Sequence, residues 1–217
     1  MRLALVNPNT SAATTGAMVR IARQTAPEVE ITGFTAAFGE PLITDEGSLA
    51  TSARAVLALA PMLAGFDGVV IAAFGDPALA ELRRRLEIPV TGIAEAGMGE
   101  AAMGGRPFAV ATTTPRLAAS IGRAAETHGF GPLFRGTFVT PGDPATVMAD
   151  PQGLVAALEA ACRAAIAAGA AAVVIGGGPL AVAARALAGR IGIALIEPVP
   201  AAVRLALGRA AARKDTP

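Results

Sequence analysis

The sequence is poor in the side chains that most often carry chemistry. It has one cysteine, Cys162, in 217 residues, which excludes an intrachain disulfide and a zinc site built on cysteine. It has one histidine, His128, and one lysine, Lys214. Charge is sparse and balanced: 18 basic and 17 acidic residues give a net charge of +1, so nothing electrostatic calls for a nucleic-acid or polyanion partner. The triplet Arg83-Arg84-Arg85 reads as a solvated helix face. Neither GxGxxG nor a phosphate-loop lysine is present, so nucleotide binding is not expected. No cofactor and no metal are expected.

Long apolar runs are equally scarce. The start, MRLALVNPNTS, is too short in apolar residues for a signal peptide and is ended by Asn and Pro. The uncharged stretch 164–184, AAIAAGAAAVVIGGGPLAVAA, has the length of a membrane span but carries three consecutive glycines and a proline. It reads instead as helix, strand and loop. With 53% hydrophobic residues, the expectation is a globular cytoplasmic protein with a sizeable core, off the membrane, forming a homo-oligomer.

What is present is a regular alternation. The runs RLALV, VEITGFT, GVVIAAF, PVTGIA, PFAVATT, FRGTFVT, AAVVIGG and IALIEP read as strands. Amphipathic segments at 11–25, 48–64, 77–87, 115–128 and 152–168 lie between most of them. This is the pattern of an α/β fold with mainly parallel sheets covered by helices. The pattern also repeats. RLALVNPNT from Arg2 resembles RPFAVATTT from Arg106, and VVIAAFG from Val69 resembles VVIGGGP from Val173, both at an offset of 104. GIAEA around Glu95 pairs with LIEPV around Glu197 at 102. The repeat implies two pseudo-symmetric lobes, 1–96 with 198–217 and 97–197, acting as one functional unit with the site between them.

Ligands of parallel sheets bind beyond the carboxyl ends of strands. The segments there are Asn7-Pro8-Asn9-Thr10-Ser11, Ala73-Phe74-Gly75-Asp76-Pro77, Thr112-Thr113-Thr114-Pro115 and Gly176-Gly177-Gly178-Pro179. Small and hydroxyl residues followed by helices offer backbone and side-chain donors, a cradle for a carboxylate or a planar amide or imide. The candidate binding residues are Asn9, Thr10, Ala73, Phe74, Gly75, Thr112, Thr113, Gly176, Gly177 and Gly178. Three carboxylates are candidates for proton transfer: Asp76 in the first cradle, and the repeat mates Glu95 and Glu197, read as ending equivalent strands. Asp76 also fits a helix cap, with Pro77 opening the helix. Glu95 and Glu197 fit equally well the role of satisfying backbone amides at the lobe interface. His128 reads as a partner of a helix C-terminus, and Cys162, mid-helix in ALEAACRAAIAAG, as a packed thiol. The segment 36–49, AAFGEPLITDEGSL, fits a surface loop or a lid bringing Thr44, Asp45 or Glu46 to a substrate.

Taken together, NPNTS, FGDPAL, GIAEA and TTTPR, in that order, resemble the hydantoin racemase branch of the aspartate/glutamate racemase superfamily, over residues 1 to about 206. The resemblance implies two pseudo-symmetric α/β lobes, no cofactor, and proton transfer next to a carbonyl by one cysteine from each lobe. Those cysteines fall on Ala73 and Gly177, which the internal repeat makes equivalent. Neither a methyl group nor a hydrogen atom is an acid or base, so the thiol mechanism is disfavoured while the cradle remains. The reading is a cofactor-independent enzyme acting next to a carbonyl of a small carboxylate or cyclic ureide, as an isomerase with a non-cysteine mechanism or as a decarboxylase, lyase or hydrolase. The alternative is a non-catalytic binder or sensor of such molecules. Carboxylates held in structural hydrogen bonds outside the cleft would favour the binder.

Overall fold

The computed structural model describes residues 1–214, apart from the side chains of Pro179 and Lys214; residues 215–217 of the expected first lobe lie outside the described residues. The first half of the chain runs β1 (Arg2–Asn7), α1 (Ala12–Thr25), β2 (Glu30–Thr35), α2 (Glu46–Leu63), β3 (Gly68–Ile71), α3 (Leu79–Arg85), β4 (Val90–Gly92) and α4 (Ile93–Ala101). The second runs β5 (Phe108–Thr112), α5 (Ala118–Thr127), β6 (Phe134–Val139), α6 (Pro144–Ala149), α7 (Pro151–Ala167), β7 (Ala172–Ile175), α8 (Ala181–Leu187), β8 (Ala194–Ile196) and α9 (Pro198–Lys214).

Each half builds one four-stranded parallel sheet, ordered β2-β1-β3-β4 and β6-β5-β7-β8. The strands β2 and β6 start at 30 and 134, β3 and β7 at 68 and 172, and β4 and β8 at 90 and 194. The offset of 104 found in the sequence therefore holds for three strand pairs. The central strands are apolar without alternation because both faces are covered: GVVI and AVVI are buried at every position.

The helices α1, α2, α6 and α7 start where short polar side chains satisfy their first amides. Ser11 accepts from the Thr14 amide at the head of α1, and Asp45 and Ser48 form a reciprocal capping box at the head of α2. The last helix, α9, packs against α1, α4, β3 and β4. It is riveted there by Arg204, whose guanidinium forks onto Glu100, with Nη2 at 2.7 Å from each carboxylate oxygen. Among the described residues, no helix is long and apolar enough to cross a membrane.

Candidate functional site

The equivalent strands β3 and β7 end at Ile71 and Ile175, and the loops that follow them meet between the sheets. A Cβ on Gly178 would stand 3.1 Å from the Ala72 carbonyl oxygen, and one on Gly176 would stand 3.5 Å from the Phe74 ring. Backbone can approach this closely because these positions carry no side chain. A pocket holding about 540 Å³ of empty space, its mouth included, opens beside the contact and is lined by Ala73 from one loop and Gly177 from the other.

One wall of the pocket is polar. Asn7, fully buried, donates from Nδ2 to Asn9 Oδ1 at 2.8 Å, to Thr15 Oγ1 at 2.9 Å and to the Ser11 carbonyl at 3.1 Å. Asn9 Oδ1 also accepts from the Ser11 amide at 2.9 Å. With its oxygen engaged by the protein, Asn9 keeps its amide N–H groups for a ligand. Thr112 Oγ1 donates to the Gly176 carbonyl at 2.8 Å and lies 3.0 Å from Thr114 Oγ1, which ties the glycine loop to the end of β5. Thr113 is 2% exposed and lines the pocket, with no hydrogen bond from its hydroxyl to another described residue. The other walls are apolar: Leu42 and Ile43, Leu117 and Ile121, Met148, and Leu180. No ionisable side chain is among the described residues that line the pocket.

Of the expected binding residues, Asn9, Ala73, Phe74, Thr112, Thr113 and Gly176 to Gly178 come together here. Thr10 and Gly75 do not line the pocket. The Thr10 amide donates to the Glu40 carbonyl at 3.1 Å, and Gly75, at φ +120, turns the chain toward Leu49.

None of the three carboxylates expected to transfer protons lines this pocket, and each is engaged by other partners. Asp76 is buried and accepts from the amides of Ala94 at 2.9 Å and Glu95 at 2.7 Å. It caps α4, a helix from another part of the chain, and not α3, which begins at Leu79 with no side-chain cap. To reach there, Asp76 and Ala78 both take the left-handed backbone region, at φ +49 and +63. The Asp76 carboxylate sits where a Cβ on Gly92 would fall, 2.1 Å from its Cγ. Glu95 lies in the first turn of α4 and not at a strand end. Arg209 grips it with two bonds of 2.8 and 2.9 Å, and Arg83 adds one of 2.7 Å. Burial opposes its charge, but the Arg209 hydrogen bond and the charges of Arg209 and Arg83 outweigh it and hold its pKa below the ordinary glutamate value. Glu197 pairs with Arg185 at 3.1 Å, and Arg185 also bonds Gln24.

The remaining candidates are structural. His128 follows the last turn of α5, donating its amide to the Ala124 carbonyl, and its Nε2 is 3.5 Å from Asp76 Oδ2. Cys162 is fully buried within α7, and burial pushes its thiol up to about 11. In the segment 36–49, Asp45 and Glu46 turn away from the pocket. Asp45 pairs with Arg116 at 2.7 Å, and Glu46 pairs with Arg123 and accepts from Ser120 at 3.0 Å. The Thr44 amide donates to Ser48 Oγ. The segment reaches the pocket through Leu42 and Ile43 instead, which sequence reasoning missed, as it missed Asn7 and Thr114. Asn7 was signalled by its spacing of two from Asn9, the spacing of a side chain that bonds the backbone of a tight turn. Among the described residues, no three His, Cys, Asp or Glu side chains gather as a metal site would require.

Comparison with known proteins agrees with this geometry. The family of Asp/Glu/hydantoin racemases matches residues 3–206. The structure of allantoin racemase from Klebsiella pneumoniae is 32% identical, with a TM-score of 0.89 over 98% of this chain and 89% of that one. Allantoin racemase from Pseudomonas fluorescens is 26% identical, with a TM-score of 0.88 over 96% and 90%. A hydantoin racemase from Pseudomonas sp. (strain NS671) is 27% identical over 210 residues, which is 95% of this chain and 84% of that protein. With two parallel sheets of equivalent order meeting at one pocket, and with these relatives over nearly its whole length, the chain belongs to the Asp/Glu/hydantoin racemase family.

Proposed function

We propose that this chain binds a small planar carbonyl compound, a cyclic ureide, imide or single carboxylate, between its two lobes, and that it does not racemise it through thiols. One observation carries the reading: Ala73 and Gly177 face the pocket from the two strand ends, and among the described residues no ionisable side chain lines it. Racemisation needs an acid and a base within hydrogen-bond reach of one carbon. Asp76, Glu95 and Glu197 are engaged in a helix cap and in ion pairs outside the pocket, so they do not take the place of the thiols. Donors remain: the Asn9 amide and the Thr113 hydroxyl suit the carbonyl oxygens of a ureide. With no cation on the wall, a neutral imide or a single carboxylate is favoured over a dianion. The names of the relatives, hydantoin and allantoin racemases, point to the same ligand class.

A second reading is favoured by the unpartnered Thr113 hydroxyl beside the glycine loop. Donors aimed at a carbonyl oxygen stabilise an enolate without any base. Loss of carbon dioxide from the monoanion of a substituted malonate leaves its bonding electrons in such an enolate, and water then supplies the one proton needed.

Both readings are tested together by thermal unfolding and proton NMR in deuterated buffer, with 5-substituted hydantoins, allantoin, aspartate, glutamate and substituted malonates. A ligand at about a hundred times its Kd stabilises by about 2.7 kcal/mol, roughly 5–10 °C for a chain of this size. A shift with ureides and no exchange of the α-proton supports the binder. Carbon dioxide release from malonates establishes the second reading. Enzyme-dependent α-deuteration by the wild type overturns the claim that proton transfer has been lost.

A further inference from the structure

The two faces of the pocket are unlike. On the first side Ala73 offers a methyl group and is itself half-buried. On the second side the three glycines differ in what surrounds them. A Cβ on Gly176 would meet Val110 Cγ1 at 2.5 Å, and one on Gly178 would meet Met18 Sδ at 2.4 Å. Only Gly177 has room, and its room is taken by Leu180, whose Cγ and Cδ1 stand 3.2 Å from where the Cβ would be. Leu180 is 2% exposed, packs in the core beneath β7, and is fixed by its amide bonding the Gly177 carbonyl at 3.1 Å.

The equivalent of Leu180 in the first lobe, 104 residues earlier, is Asp76, which turns away to cap α4. The first face is therefore backed by a turn that leaves the pocket, and the second by a branched apolar side chain that stays in it.

We propose that the pocket is enantioselective: it binds one hand of a 5-substituted cyclic ureide, and Leu180 is the residue that sets the preference. The inference rests on the ureide reading above. A bulky substituent is admitted beside Ala73 and rejected beside Leu180. One misplaced methyl in an apolar pocket is worth about tenfold or more, so a ratio of that order between the two enantiomers is expected.

The test is isothermal titration of wild type, Leu180→Val and Ala73→Val with each resolved enantiomer of 5-isopropylhydantoin and with unsubstituted hydantoin, optical purity being checked by circular dichroism. Valine at 180 keeps the core apolar, and circular dichroism of each variant confirms that it is folded. Wild type should prefer one enantiomer by about tenfold. Leu180→Val should narrow the ratio by admitting the disfavoured hand, and Ala73→Val should weaken the favoured one, each read relative to that protein's own affinity for unsubstituted hydantoin. Equal affinity for both hands in wild type, or a ratio unchanged in Leu180→Val, overturns the inference while leaving the ureide reading in place. If hydantoin and both enantiomers fail to bind, the ureide reading falls and the inference with it.

Discussion

The two lobes have the same strand order but solve one local problem in opposite ways. In the first, Asp76 caps the amides of Ala94 and Glu95, and Gly92 leaves room for its carboxylate. At the positions 104 residues later stand Leu180, Ile196 and Pro198. Proline has no N–H, so the amide that Asp76 satisfies at Ala94 has no counterpart at the head of α9. A carboxylate at position 180 would keep at most one of the two amides, that of Val199, the counterpart of Glu95. Position 180 carries an apolar Leu180 packed in the core beneath β7, and the counterpart of Gly92 is Ile196, 6% exposed and part of a separate core cluster. The substitutions are correlated: acid, glycine and amide in one lobe, two large aliphatics and an imino acid in the other. A residue that looks catalytic by position is thus explained by the helix it serves.

The sharpest way to break this correspondence is at Gly92. Its Cβ would fall 2.1–2.3 Å from the Asp76 carboxylate, so Gly92→Ala must expel the cap. Overpacking costs about 1–3 kcal/mol, and leaving two amides without a charged acceptor adds about 1.5–3 kcal/mol. A loss of about 3–5 kcal/mol in urea denaturation is expected. Asp76→Ala removes only the second contribution and should cost less, about 2–3 kcal/mol, with Asp76→Asn recovering part of it. If Gly92→Ala were no worse than Asp76→Ala, the close contact would not be what demands glycine.

Much of the fold was legible because it rests on patterns that tertiary context reinforces. The strands β3, β4, β5 and β7 follow from fully buried runs, which few other structures accommodate, and the partly buried β2, β6 and β8 are placed by the alternation and the 104-residue offset. The pocket was legible too, since strand ends followed by small residues are where a parallel sheet exposes its amides. The carboxylates were not. Asp76 reaches its partners through two left-handed residues that are not glycine, a conformation that sequence preference argues against. The bonds of Asp76 to the α4 amides, and of Glu95 to Arg209, span 18 to 114 residues of chain. Charge pairing at such range has no local periodicity to betray it. Leu42 and Ile43 were hidden for a simpler reason: the acidic residues beside them drew attention, yet those face outward to arginines.

The next comparison is sharpened by pH. At the strand offset of 104 Glu95 matches Val199, not the Glu197 paired with it at 102 in the sequence, and its charge is held by two arginines. Its pKa is depressed in the folded state, with burial opposing and Arg209 and Arg83 prevailing. A depressed carboxylate contributes stability above its unfolded pKa, about 4.3, and loses it as pH falls through the lower folded value. Glu95→Gln should therefore cost about 1–2 kcal/mol at neutral pH. The gap between variant and wild type should close as pH is lowered below about 4. A gap that stayed constant to low pH would show that hydrogen bonding alone, and not charge, secures α9 and α3 to the first sheet.

The smallest expected change in stability is also the one nearest the ligand. Asp45 and Glu46 of the first lobe meet Arg116 and Arg123 of the second beyond the residues that line the pocket, and the two arginine side chains are 68% and 63% exposed. Exposed ion pairs contribute about 0–1 kcal/mol and weaken with salt, so Arg116→Ala with Arg123→Ala should barely alter the urea midpoint. The same pairs hold the segment that carries Leu42 and Ile43 over the pocket. Releasing them should speed ligand exit by roughly threefold to tenfold, the kinetic equivalent of up to about 1.4 kcal/mol, and should abolish the dependence of exit on ionic strength. Stopped-flow displacement of a bound ureide at low and high salt makes the measurement. Exit rates that match wild type at both salts would mean that the apolar contacts of Leu42 and Ile43 hold the mouth by themselves. The second lobe would then contribute walls but no clasp.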